Sequence, residues 1–355
     1  MKALILSGGY GTRLRPLTYT IAKQLVPVAG KPILGYVLKH IADTGIKDVG
    51  IIISPETGQE IKNYVKDGAE WNINPIFIIQ EKPLGLAHAV LTAEAFLEKD
   101  DFIMYLGDNL LSSGVKESVN GFIESGACAL IFLKQVDDPK RFGVAKMDEL
   151  GNVVELIEKP QNPPSDLALV GVYIFTNKIF DAIKTIKPSR RGELEITDAI
   201  DALIKMGYPV KSEVLNGWWL DTGKKDDLLA ANTIVLDEYI KYDIKGTVDK
   251  QSSISGRVTI EEGTVVQNST IRGPVRIGAN SKIIDTFIGP FTSIGDSVYI
   301  KDSVIEHSVI LNNAVIEGID RMEDSLIGRD TKVFKNSSKH KALRLTISDD
   351  SVVEV

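Results

Sequence analysis

Cysteine is nearly absent from this chain, with Cys128 the only one in 355 residues. No intrachain disulfide can form, and a cysteine-based metal site lacks its ligands. Cys128 stands in Ala-Cys-Ala-Leu-Ile-Phe, a context that predicts a buried strand and an inert core thiol. Histidine is scarce too, at four residues, so chemistry built on imidazole bases has little to draw on. Positive charge is in deficit, with 41 Lys and Arg against 48 Asp and Glu and a net charge of −7. No basic run or aromatic platform offsets it, which argues against nucleic-acid binding. No apolar run approaches the roughly 18 residues of a membrane span, and the start lacks the pattern of a secretion signal. The expectation is a cytoplasmic protein with no membrane and no nucleic-acid partner.

What the chain does have is length and an ordinary globular composition, 43% hydrophobic and 25% charged. That length predicts two domains. Near the start an apolar run, Ala3 to Leu6, breaks into Gly8, Gly9 and Gly11. This reads as a buried strand feeding a loop whose backbone amides can cradle phosphates. Arg13 and Lys23 add positive charge, and Pro16 keeps the loop from continuing as a regular helix. A dinucleotide fingerprint needs a third glycine where Leu14 stands, and a Walker loop needs a Gly-Lys-Ser/Thr ending that is missing.

Further on, apolar spacing predicts a helix over 33–44, a strand over 49–53, a helix over 57–68 and a strand over 75–79. Such alternation marks a parallel sheet covered on both faces, with ligands beyond the strands' carboxyl ends. Gln80 lies just past one such end. Its amide carries a donor and an acceptor able to read the imide edge of a pyrimidine, and Gly85 lets a ring approach the backbone. His88, among Ala87 and Ala89, reads as a packing or surface residue. The stretch 101–109 is a strand ending in a Gly-Asp turn at Asp108. Strands over 140–144 and 153–160 bracket a hairpin at 148–152.

The loop Gly8-Gly-Tyr-Gly-Thr-Arg-Leu-Arg-Pro-Leu-Thr18, with Lys23-Gln-Leu-Val-Pro-Val28 and Gly30-Lys-Pro32, resembles the signature of the sugar-1-phosphate nucleotidyltransferases. The resemblance runs from Met1 to about Tyr239, and is closest to the branch that pairs dTTP with glucose 1-phosphate. It implies an α/β, Rossmann-like domain with a mostly parallel sheet. The implied reaction is dTTP plus α-D-glucose 1-phosphate to dTDP-glucose and pyrophosphate, with Mg2+ as cofactor. Carried over by position, Gly8, Gly9, Gly11, Thr12, Gln24, Gln80 and Gly85 would bind the nucleotide. Arg13, Lys23 and Lys159 would be catalytic. Gly143, Glu158 and Tyr173 would hold the sugar phosphate, and Asp108 with Asp221, in Gly217-Trp-Trp-Leu-Asp-Thr-Gly223, would hold the metal. Two carboxylates at strand ends, supplemented by phosphate oxygens, suit the octahedral demand of magnesium. The acids of 192–198 also follow the family pattern and read as structural, near a helix start.

Departures from the pattern are Ser7 for Ala, Tyr10 for a small residue, Phe142 for Tyr and Ile157 for Glu, all bearing on the pocket's fine selectivity. Two alternatives stay open: a UTP-dependent enzyme for glucose or N-acetylglucosamine 1-phosphate with acyl transfer in its second domain, or a non-catalytic binding or assembly module. For the acyl transfer His307 is the sole histidine of the repeats.

Those repeats follow a linker. Ile254, Ile260, Val266, Ile271, Ile277, Ile283, Ile288, Ile294, Ile300, Ile305, Ile310 and Ile316 recur every five or six residues. The period fits a hexapeptide β-helix, and neither an amphipathic helix nor a simple alternating strand. Resemblance implies the left-handed type. The expected organisation is a nucleotidyltransferase domain over 1–240, a linker over 241–252, the β-helix over 253–337 and a tail over 338–355. The apolar stretch Leu343 to Ile347 is expected to cap the coils. Flat β-helix faces point to a homo-oligomer.

Overall fold

The computed structural model describes residues 1–335, so the expected capping tail lies outside the described residues. Contacts divide the chain into two compact units. The first comprises Met1–Tyr10, Ile21–Leu25 and Ile33–Asp221; the second comprises Gly11–Thr20, Val26–Pro32 and, among the described residues, 222–335.

The strands of the first unit are β1 (Lys2–Ser7), β2 (Asp48–Ile53), β3 (Asn74–Ile79), β4 (Phe102–Leu106), β5 (Asn109–Leu111), β6 (Ala129–Gln135), β7 (Gly143–Met147), β8 (Val153–Glu158), β9 (Leu167–Phe175), β10 (Val210–Val214) and β11 (Trp219–Asp221). Nine of them form one sheet, in the order β8-β7-β9-β4-β1-β2-β3, with β6 also beside β9 and β10 beside β6. The run β4-β1-β2-β3 is parallel, as the strand–helix alternation predicts. Ala3, Leu4 and Ile5 are fully buried because helices cover both faces there, which explains an apolar run without alternation. The remainder adds an antiparallel part: β9 runs against β4, β6 and β7. The sheet is therefore mixed.

Helix Ile33–Thr44 buries Leu34, Val37, Leu38 and Ile41, the predicted stripe, and Gly45 follows it at φ 84°, a left-handed stop that glycine adopts freely. Three local expectations shift. The helix expected over 57–68 spans Gly58–Val65, ended by Lys66 at φ 54°. The strand expected from 140 begins at Gly143, because Pro139–Arg141 forms a 3-10 turn. Cys128 is half-buried and sits one residue ahead of β6. The hairpin falls as expected, with Asp148 Oδ1 accepting from the backbone N–H of Leu150 (2.9 Å) and of Asn152 (2.7 Å).

The second unit is a left-handed parallel β-helix. Ile254, Ile271, Ile288 and Ile305 stack in register, a step of 17 residues per coil, shortened to 16 where Ser293 meets Val309. Each coil thus spends about six residues on each of three faces. The aliphatic column from Ile260 to Ile316 is buried as one core. The corners recur with the same step and are left-handed: Asn268, Asp285 and Asp302 at one, Asn280, Ser297, Asn313 and Asp330 at another, Phe291, His307 and Asp324 at the third. Asn and Asp tolerate that conformation better than most side chains, and here they also bond along the stack, Asn268 to Asp285 (2.7 Å) and Asn313 to Asp330 (3.0 Å). Helix Lys225–Tyr239 belongs to this unit. Its Leu229 packs with Val309 and Leu311, and Asn232 bridges the Ala29 N–H (2.9 Å) and the Phe291 carbonyl (2.9 Å). Among the described residues no helix is long and apolar enough to cross a membrane.

Candidate active site

The parallel strands β1 and β4 end side by side. The Gly107 N–H donates to the Leu6 carbonyl (2.9 Å), placing the Gly107-Asp108 turn against the exit of β1. No side chain fits at 107, since a Cβ there would collide with Ser7 Oγ. The chain then turns back as β5, and β11 pairs with β5 antiparallel, setting Asp221 opposite Asn109. This short ladder brings together two carboxylates distant in sequence.

Both meet one cation. Lys23 Nζ bonds to Asp108 Oδ2 and lies 3.9 Å from Asp221 Oδ1. Lys23 is 6% exposed, so its charge needs these partners. Burial alone would raise the Asp108 carboxyl, but the Lys23 ammonium and the Asn109 amide, which donates to Oδ1 at 3.0 Å, hold it below the usual carboxylate range. Asn109 is fixed in turn by the Trp219 indole N–H, which donates to its Oδ1 at 2.6 Å. The Trp219 ring contacts Phe142 at 4.9 Å.

Around the turn sit buried polar atoms with unused capacity. Among the described residues Gln24 Oε1 and Ser7 Oγ are buried without a hydrogen-bond partner, and the Gln24 amide lies 3.8 Å from where a Cβ on Gly9 would be. Gln80 Oε1 lies 3.4 Å from the corresponding position on Gly8. Gly85, at φ 105°, is pressed against the Leu194 backbone. Gly11, Thr12 and Arg13 fall in the second unit. There Gly11 is left-handed at φ 62°, its carbonyl accepts from Thr18 Oγ1 (2.7 Å), and Thr12 and Arg13 are exposed on a 3-10 turn.

At the far end of the first unit's sheet, β7 and β8 bring Gly143 opposite Glu158. A Cβ on Gly143 would lie 2.8 Å from Thr197 Oγ1 and 3.1 Å from Glu158 Oε2. Glu158 accepts from Thr197 Oγ1 (2.7 Å) and from Arg191 Nη2 (3.3 Å), and Lys159 Nζ lies 3.3 Å from it. Lys159 adopts φ 44°, a strained backbone for a non-glycine residue. Tyr173 is 3% exposed; burial first, and then the Glu158 charge, push its phenol well above the ordinary range. Arg191 also binds Glu195 (2.8 Å) and Glu193 (3.3 Å), and these acids outweigh the burial that opposes its charge.

The structure therefore joins Lys23 with Asp108 and Asp221, sets Gln24 by Gly9 and Gln80 by Gly8, and joins Gly143, Glu158, Lys159 and Tyr173. Sequence reasoning passed over Asn109, Trp219, Arg191 and Thr197. The last two stand in or beside the acidic stretch 192–198, whose signal was its match to a family pattern.

A family model described as nucleotidyl transferase matches residues 2–238, and one described as GlmU-like, C-terminal hexapeptide matches 237–343. A glucose-1-phosphate thymidylyltransferase of Streptomyces antibioticus is 49% identical over 100% of this chain and 99% of its own. A bifunctional protein GlmU of Methanococcus aeolicus is 38% identical, over 95% of this chain and 80% of its own. A solved Bacillus anthracis structure in complex with a sucrose, assigned to the glucose-1-phosphate thymidylyltransferases, has 35% identity and a TM-score of 0.64, covering 68% of this chain and 97% of that one.

Proposed function

The chain belongs to the nucleotidyl transferase family, and from that premise we propose that it joins dTTP and α-D-glucose 1-phosphate into dTDP-glucose, releasing pyrophosphate. The observation that carries this reading is the convergence of Asp108 and Asp221 on one cationic centre at the exit of β1.

An oxygen of the sugar phosphate attacks the α-phosphorus in line. The bond from that phosphorus to its bridging oxygen breaks, and pyrophosphate leaves with the electron pair. No general base is required, because a phosphate monoester with a second pKa of about 6 is already an anionic nucleophile near neutrality. The protein's work is to hold two anions together. Gly8, Gly9, Gly11 and Thr12 receive the triphosphate on backbone amides, and Arg13 offsets its charge. Lys23 serves the departing pyrophosphate, and Gln24, Gln80 and Gly85 contact the nucleoside. Lys159 positions the attacking phosphate, with Arg191 adding positive charge beside it. Glu158 accepts from sugar hydroxyls, packed close over Gly143 and held there by Thr197 and Arg191, with Gly143 and Tyr173 completing the sugar side.

Asp108 and Asp221 fit a magnesium ion: two hard oxygen donors that already converge on a single positive charge. When bound, the ion would offset charge on the nucleotide phosphates. Among the described residues no group of three or more His, Cys, Asp or Glu gathers in metal-binding geometry, so the other ligands would be phosphate and water oxygens.

We infer that 1–240 carries the transfer, that 241–252 links it to the β-helix at 253–337, that the β-helix serves homo-oligomer assembly, and that the enzyme works in the cytoplasm. His307 has both ring nitrogens engaged, Nε2 with Thr233 Oγ1 (2.8 Å) and Nδ1 with Asp324, which favours a role in fastening helix Lys225–Tyr239 over acyl transfer. A matrix of dTTP, UTP and purine triphosphates against hexose 1-phosphates, scored for pyrophosphate, tests the activity. The dTTP and glucose 1-phosphate pair should give the highest kcat/KM. Pyrophosphate from other pairs alone would overturn the assignment, and thiol release from acetyl-CoA with glucosamine 1-phosphate would restore acyl transfer.

A further inference from the structure

We propose that His88 is a positioning residue that fixes the Gln80 amide with its oxygen toward the nucleobase, so that the site selects a base edge carrying a donor. The inference rests on the reading of Gln80 as the base contact. Gln80 is 8% exposed, and its Nε2 lies 3.3 Å from the Gly85 carbonyl oxygen and 2.9 Å from His88 Nδ1. A carbonyl only accepts, so the Gln80 atom facing Gly85 must be the amide nitrogen and not the amide oxygen. The second amide hydrogen then points at His88 Nδ1. That nitrogen is therefore the accepting one, and the proton of the neutral imidazole sits on Nε2.

Both hydrogens of the Gln80 amide are thus spent inside the protein. Oε1 faces the Gly8 turn, 3.4 Å from where a Cβ on Gly8 would lie. What remains for a ligand is an acceptor without a donor. The N3–H of thymine or uracil satisfies it. Cytosine presents a lone pair at N3, and two acceptors facing each other leave a buried oxygen unpaired. On sequence alone Gln80 has both a donor and an acceptor role and His88 has none. The hydrogen-bond arithmetic removes the donor and names the residue that takes it up.

The test is steady-state kinetics of the full chain at saturating glucose 1-phosphate, with dTTP or dCTP varied. In His88→Leu the amide loses the shorter of its two anchors and only the 3.3 Å contact to the Gly85 carbonyl holds its nitrogen inward, so part of the population turns over and presents an N–H to the base. KM for dTTP should rise about fivefold to tenfold while kcat stays within about threefold, and the kcat/KM ratio of dTTP over dCTP should fall about tenfold. His88→Asn, whose side-chain carbonyl can accept at the reach of Nδ1, should restore most of that ratio. A purely structural role would lower the amount of active enzyme and leave the ratio unmoved, even if His88→Leu melts earlier. An unchanged ratio in His88→Leu, alongside a raised dTTP KM in Gln80→Ala, overturns the role of His88 and leaves the base contact standing. An unchanged KM in Gln80→Ala overturns both.

Discussion

Taking one charge from the group of Asp108, Lys23 and Asp221 leaves a buried ammonium whose remaining acid is 3.9 Å away. Asp108→Asn should therefore lower turnover on the order of a hundredfold or more and also lower the Tm, because an uncompensated buried charge is costly. Exposed Arg13 gives the contrast: Arg13→Ala should lose turnover on a similar order with the Tm unchanged. Pyrophosphate release and thermal melts on both variants separate these outcomes. Asp198 makes a prediction of opposite sign. Burial, and then Glu195, Glu158 and Asp201, push its carboxyl above the ordinary range. The folded protein keeps a proton that the unfolded chain releases sooner, so this residue's contribution to stability falls as pH rises from the unfolded to the folded value. Asp198→Asn should raise the Tm near neutral pH and give no gain below the ordinary carboxylate range; melts across that window check it. At this scale the sequence showed the Gly107-Asp108 turn, because an apolar strand runs into it, whereas a metal role for Asp108 came from the family resemblance alone. The sequence did not show that Lys23 would lie against Asp108, nor that His88 would hold Gln80, since those partners come from segments with no local signal of their proximity.

Gly143 shows how an element imposes composition on the site. Pairing of β7 with β8 puts it where a methyl group would strike Leu169 at 2.7 Å and Thr197 Oγ1 at 2.8 Å. Gly143→Ala should displace Glu158, raising KM for glucose 1-phosphate more than KM for dTTP; equal effects on the two would count against a sugar-side role. The parallel run through β1 was legible because a short, unbroken apolar stretch between helices fits a strand buried on both faces and little else. The antiparallel insertion of β9 was not, because an apolar run reads alike whichever way its neighbours point. The start of β7 was missed for a related reason: Lys140 and Arg141 continue the strand pattern, but Pro139 favours the turn that precedes it. The ladder of β5 with β11 is two segments of three residues, too short for periodicity, yet it aligns the acids.

At the scale of the molecule, the β-helix is the part that the sequence described most fully, because its period returns coil after coil and each return restates the same interior. Ile288, wholly buried in that column, makes the core testable: Ile288→Ala should cost about 2–5 kcal/mol, seen as a lower denaturation midpoint for the second unit. The step of 17 residues sets a further constraint. A residue inserted or deleted within a strand shifts its aliphatic side chains off the column, whereas a corner absorbs one, as where the step falls to 16 and Ile310 and Ile316 stay buried. Duplicating one whole coil, such as 273–289, preserves both alignments, so such a variant should fold while deletion of Arg276 from within the strand Val275–Ile277 should not. Evolution, like the protein engineer, can then lengthen this half of the chain in whole storeys and trim single residues only at the corners.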